Sequence, residues 1–105
     1  MPRFTSWYLP LDLPCRWLRG NYHGHSTAFD GDVQPLDEVR AYEAAGYDYL
    51  ALSEHDVLLP ASDLQPHTRM CFVPTVEVTS DRRQSLMYLG ADHAPPQGLS
   101  ALDIL

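Results

Sequence analysis

The chain has 105 residues, 45% of them apolar, with 7 basic against 14 acidic side chains and a formal charge of −7. That is enough apolar material for one small domain with a core and too much for a disordered polymer. The acidic balance argues against a nucleic-acid surface, which needs a basic stripe, and against an anionic membrane surface.

No stretch approaches the ~18 apolar residues of a membrane span, so a cytoplasmic protein is the default expectation. Two cysteines, Cys15 and Cys71, lack Cys-x-x-Cys spacing and are too few for a disulfide scaffold. Residues 1–14 read as an irregular leader broken by Pro2, Pro10 and Pro14. Trp7, Tyr8 and Leu9 in it are packing candidates. Residues 15–105 read as one domain.

From Cys15 to His23 the pattern predicts a strand, with Gly20 marking a bulge or a close approach. The strand runs into Asn21-Tyr22-His23-Gly24-His25-Ser26-Thr27. His23 and His25 are two apart, so on an extended backbone both imidazoles share a face. Imidazole is the commonest metal ligand, and two at one strand end make half of a metal site. A His-x-His pair by itself is equally compatible with ordinary surface or core histidines.

Ser26 to Asp32 reads as a loop with an Asp30-Gly31 turn. Pro35 suits a first helical turn, Asp37 and Glu38 suit its dipole, and Leu36, Val39, Tyr42 and Ala45 fall at helical spacing before Gly46. Tyr49 to Ser53 is a short apolar run fit for a strand covered on both sides. Residues 15–55 therefore predict a βαβ unit, with His25 after its first strand and His55 after its second. Ligands of parallel α/β folds gather at the carboxyl ends of strands, where both histidines fall.

Residues 57–69 read as a loop or weak helix carrying Pro60, Pro66 and His67. In Thr75-Val76-Glu77-Val78-Thr79 a carboxylate interrupts a β-branched run. Such a group is costly unless paired with a cation. The alternative is an edge strand with Glu77 facing water. Asp81-Arg82-Arg83-Gln84 is a charged turn, Ser85 to Leu89 a further strand, Pro95 to Gly98 a linker and Leu99 to Leu105 the start of a helix. His67 and His93 are read as solvated loop histidines, Ser26 and Ser53 as hydrogen-bonding neighbours of the ligands.

Four segments taken together resemble the PHP (polymerase and histidinol phosphatase) metallohydrolase superfamily: Gly-Asn-Tyr-His-Gly-His-Ser-Thr at 20–27, Phe-Asp-Gly-Asp at 29–32, Ala-Ala-Gly-Tyr-Asp-Tyr-Leu-Ala-Leu-Ser-Glu-His-Asp at 44–56 and Val-Pro-Thr-Val-Glu-Val-Thr at 73–79. The wording around His23 is most similar to the carbaryl-hydrolase-like branch. The resemblance covers residues 17–92 and implies an α/β chain forming the N-terminal half of a distorted (β/α)7 barrel, with parallel strands and outer helices, making 15–105 a partial PHP domain. It implies two or three divalent ions, Zn, Mn or Fe. His23 and His25 would hold one, Asp30 and His55 another, and Glu77 would bridge, with Glu77 and His55 also catalytic.

The implied activity is hydrolysis of a small-molecule ester or phosphoester by hydroxide formed on the metal. Glu54 stands where the family usually has Asp. Neither Ser85 nor Met87 supplies the His that commonly opens the fourth strand, and the family's late ligands lie beyond Leu105. A whole barrel takes ~250 residues, so the resemblance implies a fragment completed by a missing C-terminal half or by a second copy. An inactive, partner-completed metal binder and a metal-free structural remnant remain open beside the phosphoesterase.

Overall fold

A computed structural model describes residues 16–105, so the expected leader and Cys15 lie outside the described residues. Six short strands and three helices follow one another: β1 (Gly20–Asn21), α1 (Pro35–Ala44), β2 (Tyr49–Leu50), β3 (Ser53–His55), α2 (Ala61–Leu64) running into a 3-10 turn (Gln65–His67), β4 (Cys71–Phe72), β5 (Thr75–Thr79), β6 (Ser85–Leu89) and α3 (Ala101–Ile104). They form a small mixed α/β domain. One sheet is β1-β2-β4, all parallel, and the other is β3-β5-β6, with β3 and β5 parallel.

The two sheets are halves of one ribbon. Leu50 pairs with Phe72 and Ser53 with Thr75, an unchanged offset, and Val73 N–H donates to Leu50 O at 2.8 Å between them. Consecutive parallel strands therefore lie side by side, joined by α1 and then by α2, and the expected βαβ unit is present.

Helix α1 begins as its sequence requires, with Pro35 in the first turn and Asp37 and Glu38 beside the positive dipole end. It ends in a Schellman arrangement. Gly46 takes φ +81°, its N–H donates to Glu43 O at 3.0 Å, and Tyr47 N–H reaches back to Tyr42 O at 3.1 Å. The Tyr42 and Tyr47 rings meet edge to face at 4.8 Å across that turn. One face of the ribbon packs here: Leu50, Leu52 and Phe72 against Val39, Leu64 and Met70. Fully burying each such side chain contributes roughly 1.5–3 kcal/mol. A second cluster places Val76, Val78 and Ala91 against Leu86, Tyr88 and Ile104.

Two expectations are corrected. The strands are not all parallel: β6 runs antiparallel to β5, with Glu77 opposite Met87 and Thr79 opposite Ser85. A parallel return needs a crossover of a dozen or more residues, and the five residues from Ser80 to Gln84 permit only a hairpin. Among the described residues the sheet does not close into a barrel. The first strand is also shorter than expected, with ladder pairing at Gly20 and Asn21 alone. Gly20 is there for close approach, since a Cβ at this position would run into the Tyr49 ring. The bulge comes just after the strand.

Candidate metal centre

The segment just after β1 carries one extra residue between Asn21 and Gly24. Ala51 N–H donates to Asn21 O at 2.8 Å, and the next bond runs from Ser53 N–H to Gly24 O at 2.7 Å, where a regular ladder would use His23 O. Such an insertion is a β-bulge, and it reverses which face the following residues point to. Asn21 lies on the helix side, where its amide donates to the Tyr42 hydroxyl at 2.9 Å. Gly24 returns to that side against Leu52. His23 and His25 are thereby turned to the opposite face. The Asn21 side chain braces the bulge, accepting from His23 N–H at 3.2 Å and donating to His23 O at 3.1 Å. The Ser53 hydroxyl holds Gly24 at 3.3 Å between the two histidines.

On that face all five expected residues converge. Glu77 Oε2 lies 3.2 Å from His23 Nε2, 3.1 Å from His25 Nε2 and 3.7 Å from His55 Nδ1. The two Nε2 atoms are 2.9 Å apart. His55 Nε2 is 3.3 Å from Asp30 Oδ2, and His25 Nδ1 is 3.8 Å from Asp30 Oδ1. The His25 and His55 rings stack at 4.5 Å and 8°. Two overlapping groups of donors result, His23/His25/Glu77 and His25/Asp30/His55.

The edges of the first group suit one ion. Ligands at ~2.0–2.1 Å from a tetrahedral centre are roughly 3.3 Å from one another, close to the 2.9, 3.1 and 3.2 Å found. Two imidazoles and a carboxylate whose ligand atoms lie this close together are a donor set that could hold Zn, Mn or Fe. His25 Nδ1 is buried and has no hydrogen-bond partner, which leaves a donor of the second group with its lone pair or proton uncommitted. Glu77 forms the floor at 9% side-chain exposure and His23 the rim at 59%.

Glu77 is not on an edge strand. β5 lies between β3 and β6, and the carboxylate is buried among imidazoles. Because β3 and β5 are parallel and in register, His55 stands directly beside Glu77. Asp56 secures that alignment from a left-handed conformation, φ 55°, donating its N–H to Glu77 O at 3.0 Å and accepting from Thr79 N–H at 2.8 Å.

The loop after His25 is held from the other face. Glu54 is fully buried on the helix side. It accepts from Ser26 N–H at 2.7 Å and from the Ser26 hydroxyl. It belongs to neither donor group and fixes Ser26, the residue that follows His25. Gly31 packs onto the His25 carbonyl, with its N–H on Ser26 O at 2.8 Å, and a Cβ there would collide with His25 backbone. These bonds hold Asp30 over the site. Burial and, second, the negative charge of Glu54 push the Glu38 carboxyl above its ordinary range.

His67 closes the 3-10 turn and His93 bonds Asp92 at 2.6 Å, and neither belongs to the two donor groups. Sequence reasoning missed Asn21 and Phe29. An Asn two residues before a ligand is a signal for side-chain-to-backbone bonding. Phe29 covers His55, ring to ring at 5.4 Å, and its position gave no such signal. Comparison with family models, with curated proteins and with solved structures gave no match. Among the described residues no helix is long and apolar enough to cross a membrane.

Proposed function

We propose that the chain is a metal-dependent hydrolase of small esters, phosphoesters in the first place, built as the N-terminal part of a PHP-like barrel. The observation that carries this reading is the position of Glu77 Oε2 within 3.7 Å of ring nitrogens from three histidines, two in the segment after β1 and one on β3. The side-by-side order of successive parallel strands, which a barrel also uses, supports the architectural half of the reading.

In this reading His23, His25 and Glu77 would hold one divalent ion and Asp30 and His55 would hold a second. Such ions would supply water acidic enough to attack near neutral pH and positive charge for the ester oxygen. The chain's own contribution is geometric. The Asn21 and Ser53 bonds lock the bulge that aims two imidazoles at one point. Asp56 keeps Glu77 and His55 level. Phe29 shields His55 on the open side and narrows the approach for a substrate.

A second reading, a metal binder completed by a partner, is favoured by Met87. It lies directly opposite Glu77 on the same face of the sheet, and a thioether there leaves the donor set open on the side where the resemblance implies a further imidazole. Metal content after dialysis, measured for the wild type beside His23→Ala and Glu77→Ala, tests binding. Bound metal lost in both variants is the expected result, and a wild type that retains none removes both readings in favour of a metal-free remnant. Turnover of p-nitrophenyl phosphate with added Mn2+ or Zn2+ then separates them: metal without turnover leaves the partner-completed binder.

A further inference from the structure

We infer that β6 pairs antiparallel with β6 of a second copy of this chain, about a two-fold axis through Met87, to make one sheet across a dimer. The main-chain bonds of the β5–β6 hairpin define which groups are free. Ser80 N–H donates to Gln84 O at 2.9 Å, continuing the register in which Val78 faces Leu86 and Val76 faces Tyr88. Hydrogen-bonded and non-bonded pairs alternate along an antiparallel ladder. Leu86 and Tyr88 therefore spend their main-chain groups on β5, and the N–H and C=O of Ser85, Met87 and Leu89 point to the outer edge. No strand lies beyond that edge among the described residues.

The edge carries none of the devices that keep strands apart. It has no proline, no bulge and no charge between Ser85 and Leu89. Met87 is 40% and Leu89 48% exposed. An apolar groove of about 420 Å³ runs beside it, walled by Leu86, Tyr88, Pro95, Pro96, Leu99 and Ile104.

A two-fold axis at Met87 sets Met87 against Met87, Ser85 against Leu89 and Leu86 against Tyr88, and all three free residues fall on hydrogen-bonding positions. Apolar cross-strand pairs of this kind stabilise antiparallel ladders. The flanks are of opposite net charge: Asp81, Arg82 and Arg83 precede the strand, and Asp92, bonded to His93 and Tyr88, follows it, so that Arg82 falls opposite Asp92 about this axis. Antiparallel pairing brings the basic end of one copy to the acidic end of the other, twice, whereas parallel pairing would set like charges together. Charge complementarity thus selects a second copy in this orientation. The axis stands perpendicular to the sheet, so both His/Glu clusters open on the same side.

The test is made in chelator, on the full 105-residue chain, so that its outcome is independent of metal binding. Light scattering at tens of micromolar should give about twice 11.9 kDa, and a wild-type monomer overturns the inference, including the case in which another part of the same chain covers the edge. Met87→Pro should give a folded monomer by circular dichroism, since that N–H has no partner among the described residues and proline is tolerated on edges. A dimer that survives it lies elsewhere and also overturns the inference. In a Cys15→Ser, Cys71→Ser background, Met87→Cys should cross-link under mild oxidation and Leu89→Cys should not, since the facing Cα atoms of a bonded pair are ~5.5 Å apart. The reverse pattern excludes the register. Arg82→Glu and Asp92→Lys should each be monomeric and should form a mixed dimer when combined. Failure to recover any dimer on mixing removes the charge pairing that selects this orientation.

Discussion

The two faces of the ribbon are built on opposite principles. On the helix side Leu50, Leu52, Phe72, Val76 and Val78 are buried against apolar neighbours, and every one adds to stability. On the other face the same strands present His55 and Glu77 beside small residues, Ala51, Ser53 and Thr75, with His23 and His25 turned in by the bulge. These groups offer polar donor atoms in place of apolar contacts, and a buried carboxylate is costly unless it is paired. One face is therefore mainly apolar, with Glu54 buried within it, and the other gathers the His, Asp and Glu side chains that could hold a metal.

The largest effect is expected at Glu77. Glu77→Gln should weaken Zn2+ or Mn2+ binding by about 100-fold or more, the upper end of what even outer partners of a metal ligand contribute. It should leave the metal-free protein as stable as the wild type or more so in urea. A metal-free protein clearly destabilised by this change would mean that Glu77 is structural. Metal itself should stabilise the wild type, by roughly 2.7 kcal/mol at a free concentration 100 times the Kd, and should not stabilise the variant.

Leu52→Ala is the counterpart on the other face. A loss of about 2–5 kcal/mol is expected from the deleted burial and the cavity left between α1 and the sheet. Metal affinity should survive in whatever fraction remains folded at low temperature. Isothermal titration beside a urea melt reads both quantities, and a parallel fall in affinity of the folded fraction would show that the faces are coupled.

Gly31→Ala sharpens the comparison at the junction of the two. Its new methyl meets the His25 carbonyl, so the backbone of a ligand must shift while the core clusters are untouched. Metal affinity should drop by roughly 10-fold, as for a disturbed supporting partner, with little change in the urea midpoint. An unchanged Kd would place His25 outside the site.

The smallest effect belongs to Glu38. Its carboxyl is raised by burial and by Glu54, so the folded state binds this proton more tightly than the unfolded one. Stability is therefore lost as pH rises through the carboxylate range and the cost is complete above it. Glu38→Gln removes the charge and should raise the Tm slightly at pH 7, with no gain near pH 3, where both states are protonated. Equal gains at both pH values would assign the effect to packing.

The site was legible to an unusual degree because its members sit where local rules already point. His-x-His at a strand end, a histidine after the next strand and a lone acid in a β-branched run are each readable from spacing. Helix α1 was equally plain, from Pro35 to Gly46. What could not be read was the route by which the residues meet. Strict alternation places Asn21, His23 and His25 on one face, and only the ladder shift at Gly24 separates Asn21 from the histidines. Glu54 and His55 adjoin in sequence and serve opposite faces. Between β5 and β6 the short turn is visible in the sequence, and its five residues impose the antiparallel direction that the parallel expectation lacked.

The order of elements and the identity of the donor atoms were determined by the sequence alone, because propensity, capping and period act over a few neighbouring residues. Tertiary structure decided which donors share a point, since that depends on register between strands 22 and 29 residues apart and on one inserted residue just after β1. A displacement of a single position would send every side chain of a strand to the other side of the sheet, and no local pattern records it.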